Sequence, residues 1–227
     1  MKTYFYPLFL FILCIGCTSQ ENSASFIENT EGRYLFNDNE VIEIYFKDQI
    51  LHAKWRGNDD IELLKVNDSS FYMKELNEKM IFVSSPEMHI ELAPKTEHKG
   101  VIYHFKKLNK NEKTPNEYFE AGEYDKALEA FLKIKQQDSL SPVIRERRIN
   151  SIGYNFLRDK KYDEALQIFK INTALHPKSS NVYDSTADAY LIVGDTTSAK
   201  EYYKKALAIN PENRNAKRAY NKLVEKK

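Results

Sequence analysis

Apolar and polar positions alternate with period two from Phe26 to about Leu108, and with a helical period from Thr114 onward. In the first stretch, Val41–Phe46 and Ile50–Trp55 flank the polar turn Lys47-Asp48-Gln49, which predicts a hairpin. Further strands are expected at Arg33–Phe36, Ile61–Val66, Ser70–Lys74, Lys79–Val83, His89–Leu92 and Val101–Lys107. Turn signals separate them: Asn67-Asp68, Ser84-Ser85-Pro86 and Lys99-Gly100. Short strands at that spacing predict an antiparallel β domain over 26–110, curling into a barrel or sandwich. A core that thin must lean on Tyr, Phe and the single Trp55.

The helical stretch repeats itself. Ala165, Phe169 and Pro177 recur 34 residues later as Ala199, Tyr203 and Pro211, and Gly153 and Phe156 recur as Ala187 and Tyr190. A small residue lets one helix approach the next, and an aromatic fills the space between them. Proline ends a helix because it has no amide donor. This 34-residue unit resembles the tetratricopeptide repeat. Complete repeats are expected at 146–179 and 180–213. A partial, irregular one covers 114–145, with a short first helix beginning near Pro115. Its Ala127 lies 38 residues before Ala165, so four residues are inserted near Ser139-Leu140-Ser141-Pro142. A capping helix is expected over 214–227. Unrelated amphipathic helices are the alternative to a repeat. The fold class is thus α+β in two domains, a small β barrel or sandwich followed by an α-solenoid.

The N-terminus carries one charge, Lys2, then an almost wholly apolar Phe5–Ile15, too short to cross a bilayer of about 30 Å. Gly16-Cys17 at its end resembles the lipobox of bacterial lipoproteins, although Cys14 stands where Leu is usual. The resemblance implies a signal peptide over 1–16 and lipid attachment at Cys17, with 17–25 a flexible tether. Ordinary secretory cleavage is the alternative, and it would leave Cys17 a free thiol. Thr18 rather than Asp after the Cys resembles the pattern of outer-membrane lipoproteins, which implies a lipid-anchored envelope protein. Removal of 1–16 also removes Cys14, so no internal disulfide is expected.

Composition then narrows the chemistry. The 227 residues carry 34 Lys and Arg against 33 Asp and Glu, so the balance gives no electrostatic footprint for nucleic acid. Seven scattered glycines cannot form a phosphate-cradling loop, and no cofactor is expected.

A looser resemblance covers most of the remaining chain. Glu31-Gly32-Arg33-Tyr34, the hairpin and Ile81-Phe82-Val83 look like the β domain that follows the catalytic domain of serine beta-lactamase-like hydrolases. The run Asn181–Tyr190 is similar to the repeat tail of some of these enzymes. The family's nucleophile lies in Ser-x-x-Lys, which this chain lacks: Thr197-Ser198-Ala199-Lys200 begins with Thr, and His98-Lys99-Gly100 reads as a turn. Gly-x-Ser-x-Gly and His-Glu-x-x-His are also missing. His89, Glu91 and His104 would make an open zinc site only if their strands pair, and spacing alone favours no metal. No catalytic residue is expected.

As the repeat resemblance implies, the first helix of each repeat lines a binding groove. That places Arg147, Asn150, Tyr154 and Arg158 beside Asn181, Asp184 and Asp188. Basic next to acidic, with one aromatic, suits another protein or an extended peptide. It does not match the all-basic clamp by which some repeats hold C-terminal tails. The expected function is a non-catalytic lipoprotein scaffold. The alternatives are a ligand-binding β domain supported by the repeats, an accessory subunit or remnant of a serine hydrolase, and a groove that packs on the chain's own β domain.

Overall fold

The computed structural model describes residues 21–225. The expected signal peptide and Cys17 lie outside the described residues. The chain divides into two compact units: one takes residues up to Tyr34 together with Ile42–Lys107, and the other takes Leu35–Val41 with the chain from Leu108.

Among the described residues the first element of the first unit is a helix, α1 (Ala24–Thr30), that begins inside the stretch expected to be a tether. Ser23 caps it by accepting the Phe26 amide hydrogen at 3.2 Å. Nine strands follow: β1 (Gly32–Asn37), β2 (Glu40–Lys47), β3 (Ile50–Trp55), β4 (Asn58–Glu62), β5 (Leu64–Asn67), β6 (Ser70–Met73), β7 (Glu78–Val83), β8 (His89–Leu92) and β9 (His104–Lys106). They form two sheets of sequential neighbours, β1-β2-β3-β4 and β5-β6-β7-β8-β9. The expected barrel is not closed. One isolated bridge, Tyr34 to Lys107, joins the end of the second sheet to β1.

Two expected strands differ. The run Ile61–Val66 is broken at Leu63, where the chain passes from the first sheet to the second; the Leu63 amide donates to Leu51 O at 3.0 Å. Val101–Lys107 shortens to β9, leaving Val101, Ile102 and Tyr103 exposed. Core-facing pairs set the register, with Ile44 opposite Ala53, Ala53 opposite Ile61, and Ile90 between Phe82 and Phe105. The Phe26 ring reaches both sheets, lying 6.1 Å from Phe46, 5.5 Å from Phe71 and 5.5 Å from Phe82. Tyr34 is fully buried and donates its hydroxyl to Thr30 O at 2.6 Å.

In the second unit the helices are α2 (Pro115–Glu120), α3 (Tyr124–Gln137), α4 (Glu146–Arg158), α5 (Tyr162–Leu175), α6 (Ser180–Ile192), α7 (Thr196–Ile209) and α8 (Arg214–Glu225). Starts at Glu146, Ser180 and Arg214, and at Tyr162 and Thr196, are 34 residues apart. The repeat is therefore structural as well as sequential. Thr114 and Glu117 form a capping box around Pro115, which fixes the short α2. The insertion before α4 contains a 3-10 turn, Pro142–Ile144, whose Val143 and Ile144 join the core. Ser141 Oγ donates to Asp38 Oδ2 at 2.7 Å, and Asn39 Oδ1 accepts the Asn116 amide at 2.8 Å, which holds the Leu35–Val41 segment within this unit.

Candidate functional site

The seven groove residues all lie on α4 and α6, the first helices of successive pairs, and the structure brings most of them into one ladder of side-chain bonds. Asn181 Nδ2 donates to Glu146 Oε1 at 2.8 Å, Asn150 Nδ2 to Ser185 Oγ at 2.9 Å, and Tyr154 OH to Asp188 Oδ2 at 3.3 Å. Asn215 of α8 extends the ladder, its Nδ2 lying 3.1 Å from both oxygens of Asp184. Because the repeat length matches a whole helix pair, residues one repeat apart stand side by side, and short polar side chains at those positions meet.

The ladder rests on buried groups. Tyr203 of α7 is fully buried and donates to Asp188 Oδ1, so that carboxylate serves two phenols. Asn172 of α5, also fully buried, donates to Glu146 O at 3.2 Å. Burial pushes the Tyr154 phenol up to about 12, with the Asp188 charge adding to it. Burial also raises the Asp184 carboxyl above the usual carboxylate range, against the Asn215 bond that lowers it, and the nearby Asp188 charge raises it further.

Asn150, Asp184 and Asp188 thus serve first to fix the helices. Arg147, Tyr154, Arg158 and Asn181 keep exposed surface, and Arg158 Nη2 donates to Asn155 Oδ1 at 2.7 Å. Beyond Arg147 lies a depression of about 720 Å³ lined by Ser139, Leu140, Ile144, Arg145, Arg147 and His176. Leu140 is 81% exposed at its rim, although its sequence position within the repeat insertion marks no site.

In the β unit, strand pairing does place His89, Glu91 and His104 together. The His89 and His104 rings are 4.1 Å apart, and His89 Nε2 is 3.2 Å from Glu91 Oε1. His89 Nδ1 lies 2.7 Å from Glu87 O, so both ring nitrogens face oxygen atoms of the chain. Among the described residues, no group of three His, Cys, Asp or Glu side chains is arranged to hold a metal ion. His98 of the expected turn bonds Glu78 Oε1 at 3.0 Å.

No family model matches the chain. Among curated proteins, RNA polymerase II-associated protein 3 of Xenopus tropicalis is 31% identical over 108 residues, 48% of this chain and 16% of its own length. Heat shock protein STI1 of Saccharomyces cerevisiae is 35% identical over 103 residues, 45% of this chain and 17% of its own. The chain thus spans about a sixth of the curated relatives it matches. Among solved structures, the first TPR of Spaghetti (RPAP3) bound to HSP90 peptide SRMEEVD is 22% identical with a TM-score of 0.34, over 49% of this chain and 86% of that one. A point mutant of MamA is 20% identical with a TM-score of 0.38, over 49% of this chain and 79% of that one. These matches lend no support to the hydrolase or lipoprotein resemblances; the repeat itself rests on the 34-residue spacing of the helix starts.

Proposed function

We propose that this protein is a non-catalytic envelope lipoprotein, anchored through Cys17, whose repeats dock another protein along the face of α4, α6 and α8. The observation behind it is the ladder, which holds α4, α6 and α8 in register while leaving Arg147 exposed beside the Leu140 depression and Tyr154 and Arg158 exposed further along α4. A prearranged surface loses little conformational freedom on binding. The two arginines and the tyrosine suit a partner segment with carboxylates and an apolar side chain. Asp184 and Asp188 at the middle of the face would repel an acidic tail laid across it. The partner's acidic groups therefore belong at the Arg147 end.

The test is a crosslinked pull-down from envelope membranes with wild type and an Arg147→Glu/Leu140→Asp variant. Both side chains are exposed, so the variant keeps its fold. A partner captured by wild type and lost in the variant supports the reading, and identical capture by both overturns it. Anchoring is tested separately by Cys17→Ser, which releases the protein from the membrane fraction if the lipid holds it there.

A further inference from the structure

We infer that the chain is stapled to its β unit immediately after the anchor, so that the β2–β3 and β5–β6 turns form the end of this unit that faces the lipid surface. The inference rests on the proposed lipidation of Cys17. Both the backbone amide and the side-chain Nδ2 of Asn22 donate to Gln49 O, at 2.9 and 2.8 Å. Asn22 is 3% exposed. Lys65 Nζ donates to Glu21 O at 2.7 Å and lies 3.3 Å from Asp68 Oδ1. Ser23 then caps α1, and Phe26 plugs into the sheets three residues later. Gln49 in the β2–β3 turn and Lys65 on β5, which also reaches Asp68 in the β5–β6 turn, thereby hold the first described residues.

The reach of the chain makes this consequential. Asn22 is the fifth residue after Cys17, and an extended chain covers at most about 3.5 Å per residue, so the Asn22 backbone stands within about 17 Å of a lipid-bearing Cys17. A flexible stalk over 17–25 would let the β unit tumble at any orientation. The staple leaves only Thr18, Ser19 and Gln20 before Glu21, and it fixes where the chain leaves the unit. The Asp48-Gln49 turn sits at one end of β3 and the Arg56-Gly57 turn at the other, about 20 Å away along six strand residues. The first turn faces headgroups, and the second faces away.

The experiment uses lipidated protein with one introduced thiol, Ser69→Cys beside the staple or Asp59→Cys near the far turn. Removal of 1–16 takes Cys14, and lipidation blocks the Cys17 sulfur, so a nitroxide reports one site. In phosphatidylcholine vesicles carrying a nickel-chelating headgroup lipid, spin relaxation at 69 should be enhanced several-fold over that at 59. In an Asn22→Ala/Lys65→Ala background, which keeps only the Asn22 backbone bond to Gln49 O, the protein stays bound and the contrast shrinks. Equal enhancement at both sites on bound wild type overturns the inference.

Amide exchange separates the two layers. In the Cys17→Ser chain, which has no lipid, the Asn22 amide should exchange at least about tenfold more slowly than an open backbone amide. Fast exchange there overturns the staple without bearing on the anchor. A protected Asn22 in a wild-type chain that carries no lipid and leaves the vesicles overturns the anchor, and the membrane orientation with it.

Discussion

The ring of Phe169 covers the α-carbon of Gly153 so closely that a β-carbon there would stand 2.5 Å from Cζ. Phe169 is fully buried and packs edge-on to Tyr154, with centroids 5.3 Å apart, so the ring has nowhere to retreat. The next repeat carries Ala187 and Tyr203 at the matching positions. Gly153 thus permits the closest approach of the helix pair.

Gly153→Ala therefore destabilises the fold. Alanine gains up to about 1 kcal/mol of helix propensity over glycine, but overpacking costs about 1–3 kcal/mol. We expect a net loss, read as a lower urea midpoint at unchanged slope. Phe169→Leu in the same chain should recover part of it. A midpoint equal to or above wild type would show that the ring moves aside.

Asp188 is the acceptor for two phenols, so its removal should cost more than removal of either donor. Asp188→Ala leaves the fully buried Tyr203 hydroxyl without its acceptor, at about 1–3 kcal/mol. Adding Tyr203→Phe removes the orphaned hydroxyl and should return part of the loss. A double-mutant cycle checks this, and strictly additive effects would place the two side chains out of contact.

The repeat was legible because helix packing demands small and large residues at fixed offsets, and Gly153, Phe169, Ala187 and Tyr203 carry that demand openly. The ladder was not. Asn150 and Asp188 look like groove lining in sequence, because whether a polar side chain on a first helix points to solvent or to its neighbour depends on helix rotation. In the β unit the alternation was legible in most strands. It ran straight through Leu63, since a strand that changes sheets keeps its period. Helix α1 offered only Phe26 and Ile27 as large apolar residues, too few for a helical period, and its placement comes from the Ser23 cap and the Phe26 plug. The Leu35–Val41 segment left no signal, because Asp38 and Asn39 have the composition of an ordinary turn.

Three helix pairs turn through the same geometry, and one of them uses the wrong residue for it. Gly122, Lys160 and Gly194 all have positive φ, at 73°, 59° and 86°. In each the following amide bonds back to the carbonyl five residues earlier: Glu123 to Tyr118, Lys161 to Phe156 and Asp195 to Tyr190, all at 2.9 Å. An L side chain pays about 1–2 kcal/mol in this region. Lys160 is exposed, so its side chain offers little in return. Lys160→Gly should stabilise the chain by about 1 kcal/mol, visible as a rise of a few degrees in Tm. A lower Tm would mean that the lysine makes a contact worth more than the strain.

Asp184 gives a pH dependence opposite in sign to that of a salt-bridged carboxylate. Burial holds its native pKa above the unfolded value of 3.8, and the Asp188 charge adds to the shift. Between 3.8 and the raised native value the folded chain binds more protons than the unfolded one, so this group's contribution to stability falls as pH rises through that window. Below the window no penalty remains; above it the penalty is constant. Asp184→Asn removes the charge and keeps an oxygen for Asn215 Nδ2. The variant should therefore gain on wild type as pH rises from 3.8 through the raised native value, measured as the difference in unfolding free energy at each pH. A difference that does not change with pH, or that favours wild type more at neutral pH, would mean the Asn215 bond outweighs burial and holds Asp184 ionised without cost.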